Sequence, residues 1–168
     1  MCPELKDGAG GSTGKWMYTG NSITLSDRTN NTGKTIQVTA INVYIKASLN
    51  SLIKALIYSK SGYTYTREAV GTEVSVAIDF EGVKALPISF SWVNGLTLWY
   101  GCFSNGAGSV QIAYTDVVTE RTVNNYDVYP NAPTSFSYPV TWFRNLSMTV
   151  EYAAAGIASK RLLIGVGL

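Results

Sequence analysis

A chain of 168 residues with a formal net charge of +2 suits one domain with a sizeable core. Charged residues are only 14%, and the 13 Lys and Arg are scattered, so there is no electrostatic footprint for nucleic acid. With no His at all, Ser-His-Asp and Cys-His catalysis and most zinc sites are excluded, and no window approaches the ~18 consecutive apolar residues of a membrane span.

The place of charge is taken by Thr, Ser, Asn and Gly, with 11 Tyr and 4 Trp. That is the make-up of many all-β extracellular or virion proteins, and it is too apolar for a disordered chain.

In chain order, residues 1–14 read as a polar, Gly-rich arm. It has no apolar h-region, so it does not read as a signal peptide, and no lipobox precedes Cys2. Cys2 and Cys102 can be paired as a disulfide on paper; the simpler reading is a buried free Cys102. "SITLS" (22–26) alternates as a short strand, and "SDRTNNTGK" (26–34) is rich in turn formers.

"TIQVTAINVYIKA" (35–47) is the clearest strand. Ile36, Val38 and Ala40 share one face. From Ile41 the apolar set changes parity to Ile41, Val43 and Ile45, with Asn42, Tyr44 and Lys46 opposite. A parity change inside one run predicts a bulge or a sheet corner.

"SLNSLIKALIYSKSG" (48–62) fits two periods. Leu49, Leu52, Ile53, Leu56 and Ile57 make a helical stripe behind a Ser48 cap. Ile53, Ala55 and Ile57 also share one face of a mostly buried strand.

"GYTYTREAV" (62–70) alternates. "EVSVAIDF" (73–80) sets Val74, Val76, Ile78 and Phe80 on one face of a strand. In "VKALPISFSW" (83–92), Pro87 predicts an edge or a break. "LTLWYGCFS" (96–104) reads as a buried strand, with "VQIAYT" (110–115) returning from it as a hairpin arm. Residues 116–147 are least regular, "LSMTVEYAA" (146–154) is a last alternating strand, and "KRLLIGVGL" (160–168) is an apolar tail. Short strands at ~8–12-residue spacing predict an all-β jelly-roll sandwich of two antiparallel sheets spanning 15–154, with an arm before it and a tail (155–168) after it.

"TAINVYIKASLNSLIKALIYSKSG" followed by "LTLWYGCFSNGAG" resembles a group of extracellular jelly-roll domains akin to carbohydrate-binding modules. In those, a strand of the type I-x-V-Y-[IL]-K pairs with one of the type [IV]-[KR]-A-x-I-Y-S. The resemblance covers roughly residues 16–115 and 146–152 and rests on packing residues. It implies a strand at 51–59, with Tyr58 and Tyr100 as core or corner residues. The usual Pro-Gly turn after Y-S is replaced here by "YSKSGYTYT".

Candidate chemistry is sparse. Asp79 and Glu81 stand two apart, which puts them on one face of a strand, either as paired carboxylates or as a solvated edge. Asp27, Asp116 and Asp127 are the candidate ligands of a structural Ca²⁺, without EF-hand spacing; no other cofactor is expected. Tyr126, Tyr129, Phe136, Tyr138 and Trp142 crowd "YDVYPNAPTSFSYPVTWF" (126–143), as rings for sugar stacking or for packing and interface. Two sequons, at Asn30 and Asn145, matter only in a eukaryotic secretory setting. Leu162, Leu163, Ile164 and Val166 form a candidate donated strand for assembly.

The expectation is therefore a non-enzymatic structural or adhesive surface protein of a virion or the cell exterior. It would associate with itself as a homo-oligomer or with other virion or surface proteins. The alternative is a carbohydrate-binding module recognising glycans through the 126–143 aromatics.

Overall fold

The computed structural model describes residues 4–7, 15–19, 22–106, 109–115, 121–126, 129–139 and 141–154. Among these residues the structure is strand, turn and loop, with no helix. The strands are β1 (Glu4–Asp7), β2 (Lys15–Tyr18), β3 (Ser22–Thr29), β4 (Ile36–Ala47), β5 (Ser51–Ser61), β6 (Thr64–Val70), β7 (Val74–Val76) and β8 (Glu81–Trp92). They continue as β9 (Thr97–Ser104), β10 (Val110–Thr115), β11 (Arg121–Tyr126), β12 (Ser135–Ser137), β13 (Trp142–Phe143), β14 (Asn145–Leu146) and β15 (Met148–Ala154).

They form two antiparallel sheets packed as a sandwich. In the first sheet β4 pairs with β8 on one side and with β15 and β10 on the other, and β1, β2 and β14 extend it. The second runs β12-β6-β5-β9-β3-β11-β13, with β7 continuing along β5. The connections β3–β4–β5 and β8–β9–β10–β11 pass from sheet to sheet each time, which is compatible with jelly-roll winding. Residues 4–7, within the expected arm, pair with β15.

The parity change in β4 is a bulge at Thr39. Val38 faces Tyr152 while Ala40 faces Glu151, so Thr39 is the extra residue on that side and stands exposed. Pro87 lies opposite Ala40 beside this bulge, and β8 has β4 as its one described ladder partner, the edge position a strand proline favours.

Residues 51–61 are strand. Ile53, Ala55 and Ile57 join the core between the sheets, with Ile41, Val43, Ile45, Trp92 and Tyr100. Leu56 and Tyr58 point the other way, into a second cluster with Ile23, Leu25, Tyr65, Trp99 and Phe103. That cluster is roofed by the segment 129–138, so both faces of β5 are covered. Each large side chain sealed in this way contributes about 1.5–3 kcal/mol. Gly101 lets β9 approach β3 closely: a Cβ there would lie 1.9 Å from the Thr24 carbonyl oxygen.

Two expected elements differ. The strand over 73–80 stops at Val76, because the chain turns at 78–79; Ile78 is left exposed and Asp79 takes φ 61°. Residues 110–115 are not a hairpin arm of β9. β10 belongs to the opposite sheet, where it pairs with β4, β2 and β14.

Candidate functional site

The outer face of the first sheet is where side chains converge with no roof over them among the described residues. Because Ile41, Val43, Ile45 and Ala47 turn inward, the period of two aims Asn42, Tyr44 and Lys46 outward. The register then assembles neighbours from distant sequence. Lys46 lies opposite Glu81 of β8 and Gln111 of β10. Tyr44 lies opposite Val83, and Trp16 of β2 opposite Ala113.

The rings of Trp16 and Tyr44 sit 6.0 Å apart, tilted by 42°, and Lys46 Nζ stands 4.3 Å from the Trp16 ring centre. Both rings and the Lys46 side chain are half-buried. The lysine is thus held over an aromatic face, a contact worth roughly 0.5–1 kcal/mol at an exposed site.

Beside this row lies a cleft of about 400 Å³ lined by Lys46, Ser48, Asp79, Glu81, Ser109 and Gln111. Its back wall is backbone-locked: Ser48 N donates to Ser109 O at 2.8 Å, and Asp79 N to Ala47 O at 2.9 Å. Ser109 Oγ is 2.9 Å from Ser51 Oγ. Gln111 Oε1 is buried and accepts no hydrogen bond among the described residues. A buried acceptor in that state costs about 1–3 kcal/mol. Asp79 and Glu81 share the cleft, but not as strand neighbours; Asp79 stands in the turn and only Glu81 in β8.

The 126–143 aromatics divide. Phe136 stacks on Tyr65 with centres 4.8 Å apart and planes at 4°, and meets the Tyr58 ring edge-on at 5.2 Å. Tyr129 packs on Phe103 at 5.0 Å and donates its hydroxyl to Glu73, itself 3.5 Å from Lys54 Nζ. Burial, then the bond to Glu73 and its charge, pushes the Tyr129 phenol well above its ordinary range. Tyr138 packs partly buried against the same cluster. The segment is pinned by Tyr58 OH donating to Pro133 O at 2.8 Å, Arg67 N to Thr134 O at 2.8 Å and Tyr138 N to Tyr63 O at 3.0 Å. The backbones of Tyr126 and Trp142 lie in β11 and β13; their side chains are outside the described residues.

Of the calcium candidates, Asp27 sits half-buried on β3 opposite Trp99, while Asp116 and Asp127 lie outside the described residues, as do Cys2, Leu162, Leu163, Ile164 and Val166. Among the described residues no three His, Cys, Asp or Glu side chains gather as a metal site. Cys102 is a buried free thiol. Asn30, the first sequon, is fully buried.

The sequence pattern placed Tyr44 and Lys46 on the face away from the core, but Trp16, Gln111 and the cleft did not stand out. Only the strand register brings those residues together. No protein-family model matches the sequence, and no curated protein matches it.

Proposed function

We propose that this chain is a non-enzymatic adhesive surface domain, of the kind found on virions or extracellular filaments. In this reading it grips polyhydroxylated ligands, glycans above all, on the outer face of the first sheet. The carrying observation is the inventory of the cleft: an unpartnered Gln111 acceptor, an amine, two carboxylates and two hydroxyls beside the Trp16–Tyr44 ring pair. Sugars present an apolar ring face and a rim of hydroxyls that donate and accept at once. Tilted aromatic rings bordered by mixed donors and acceptors match that surface. A sequence with no His supports binding rather than acid–base turnover.

The face differs from the one expected from 126–143. There Tyr129, Phe136 and Tyr138 have their contacts against the second sheet, whereas Trp16 and Tyr44 adjoin the cleft through Lys46, which lines it and lies over the Trp16 ring. The test is a glycan array probed with the intact chain, followed by Trp16→Ala on any sugar bound. Binding that Trp16→Ala weakens by about tenfold supports the reading, since a stacking contact is worth up to about 1.5 kcal/mol beyond the apolar area it buries. A chain that binds no glycan, or binds equally well as Trp16→Ala, removes it.

A further inference from the structure

Two Asn-Gly pairs occur in the chain, Asn94-Gly95 in the turn between β8 and β9 and Asn105-Gly106 in the turn after β9. An Asn side-chain amide followed by glycine is open to attack by the glycine's backbone nitrogen, because no side chain shields that nitrogen or restricts its approach. The two turns are closely matched. Gly95 takes φ 79° and Gly106 φ 81°, and both glycines are exposed. Each Asn side-chain carbonyl accepts from one distant backbone N–H: Asn94 Oδ1 from Gly33 N at 2.9 Å, and Asn105 Oδ1 from Leu52 N at 2.6 Å.

They differ at the glycine nitrogen. Gly95 N donates to Asn30 O at 2.8 Å, and Asn30 is itself fully buried. That bond must break before Gly95 N can turn on Asn94. Gly106 N has no hydrogen-bond partner among the described residues. The carbonyl of Asn105 is also the better prepared of the two. A donor at 2.6 Å draws electron density toward Oδ1 and leaves Cγ more electrophilic. It also meets the oxygen on which negative charge gathers as a nucleophile adds. Asn105 N in turn donates to Leu52 O at 2.9 Å, so Leu52 grips both the backbone and the side chain of Asn105.

We infer that Asn105-Gly106 is a self-modification site, at which the folded chain converts Asn105 to aspartate and isoaspartate with water as the co-reactant. Gly106 N loses its proton to solvent base and bonds to Asn105 Cγ. The Cγ–Nδ2 bond breaks, and Nδ2 takes up a proton and leaves as ammonia, which closes a cyclic succinimide. Water then adds to one of the two ring carbonyls. Addition at Cγ breaks the new bond and leaves aspartate in a normal main chain. Addition at the main-chain carbonyl breaks the old peptide bond and routes the chain through Cγ, which is isoaspartate. Nothing is oxidised or reduced. Aspartate keeps an oxygen for Leu52 N, whereas isoaspartate lengthens the main chain in the turn that holds Ser109. Ser109 N and Oγ donate to Gly106 O at 3.4 and 3.1 Å, and Ser109 lines the cleft described above, so the change reaches the cleft wall. The inference does not depend on what that cleft binds.

The test follows both pairs in the intact chain held at pH 8 over several weeks, with samples digested in acid, where the reaction stops, and mapped by mass spectrometry. Replacing NH2 by OH raises the mass of the peptide concerned, and chromatography separates its aspartate and isoaspartate forms. The expected result is conversion at Asn105 about tenfold faster than at Asn94, the factor for one additional hydrogen bond to be broken before attack. In denaturant the two pairs convert at like rates, because glycine follows Asn in both and the Asn30 contact is gone. The converted chain carries one more negative charge on a formal +2, so ion exchange isolates it. In its NMR spectrum the Leu52 and Ser109 amide signals move, while those of Gly33 and Gly95 stay. Equal rates at the two pairs in the folded chain, or a faster Asn94, overturn the inference. So does a folded chain in which Asn105 stays intact while the denatured chain converts it.

Discussion

Asn30 offers the sharpest test of how the fold is held at the end of the sandwich away from the cleft. It is fully buried, and its side chain works as a four-way clamp. Nδ2 donates to Lys34 O at 3.0 Å and to Trp92 O at 2.8 Å; Oδ1 accepts from Thr32 N at 3.1 Å and Thr32 Oγ1 at 2.7 Å. Its backbone adds bonds to Leu96 and Gly95, so one residue ties the turn after β3 to the β8–β9 turn. Asn30→Ala removes four bonds, one of them the buried bond to the Trp92 carbonyl. At ~0.5–1.5 kcal/mol for each of the four bonds, with the exposed Lys34 and half-buried Thr32 groups re-solvated toward the low end, the loss is about 3 kcal/mol. For a domain of this size that is a Tm lower by about 6–12 °C in a calorimetric melt.

Asn30→Asp sharpens the test. It keeps the acceptor side but turns an oxygen toward two carbonyls. Its ionised form is disfavoured by burial and by those oxygens, so its pKa is raised in the folded state. This variant comes nearest to wild-type stability below the ordinary Asp range, and loses stability as pH rises through the raised value. A loss under about 1 kcal/mol in Asn30→Ala would refute the clamp. So would a pH-independent difference between Asn30→Asp and wild type.

Two further outcomes follow from the core. Gly101→Ala drives a Cβ to 1.9 Å from the Thr24 carbonyl, a backbone atom that cannot step aside without parting β9 from β3. The cost exceeds the ~1–3 kcal/mol of ordinary overpacking, and soluble expression or a chemical melt reads it. In a Cys2→Ser background, the Cys102 thiol, pushed up to about 12 by burial, stays unreactive to a thiol reagent at pH 8 and reacts only when denaturant opens the chain. Because that pKa is raised above its ordinary 9.0, stability is undiminished below pH 9 and declines as pH climbs from 9 toward 12.

The strands were legible where burial is one-sided. In β4 the switch from Ile36 and Val38 to Ile41, Val43 and Ile45 announced the bulge at Thr39, because the inner face must stay apolar on both sides of an extra residue; Ala40, expected to share the face of Ile36 and Val38, lies past the bulge opposite Glu151 and outside the core cluster. Residues 48–58 were ambiguous for a physical reason. β5 needs apolar residues on both faces: Ile53, Ala55 and Ile57 for the inner core, Leu56 and Tyr58 for the roof made by 129–138. A two-sided apolar run imitates a helical stripe, and the roof that explains it comes from some seventy residues further on. Residues 73–80 misled in the opposite way. Val74 and Val76 face inward, but Ile78 continues the pattern only on paper, since the turn at Asp79 swings it outward. The cleft was hidden because its parts come from β4, β8, β10 and the turns beside them. Gln111 looks like any polar strand residue until the register sets it beside Lys46.

The measurement that bears most directly on the central claim is a side-chain NMR titration of the intact chain with a glycan selected on the array. Trp92 and Trp99 are buried, whereas Trp16 is half-buried beside the cleft, so these three indole signals, once assigned apart from that of Trp142, report on location. The account predicts that the Trp16 indole and the Gln111 side-chain amide shift together with added sugar, while the Trp92 and Trp99 indoles stay still. Shifts confined to Tyr129, Phe136 and Tyr138, or none at any sugar concentration, would contradict it.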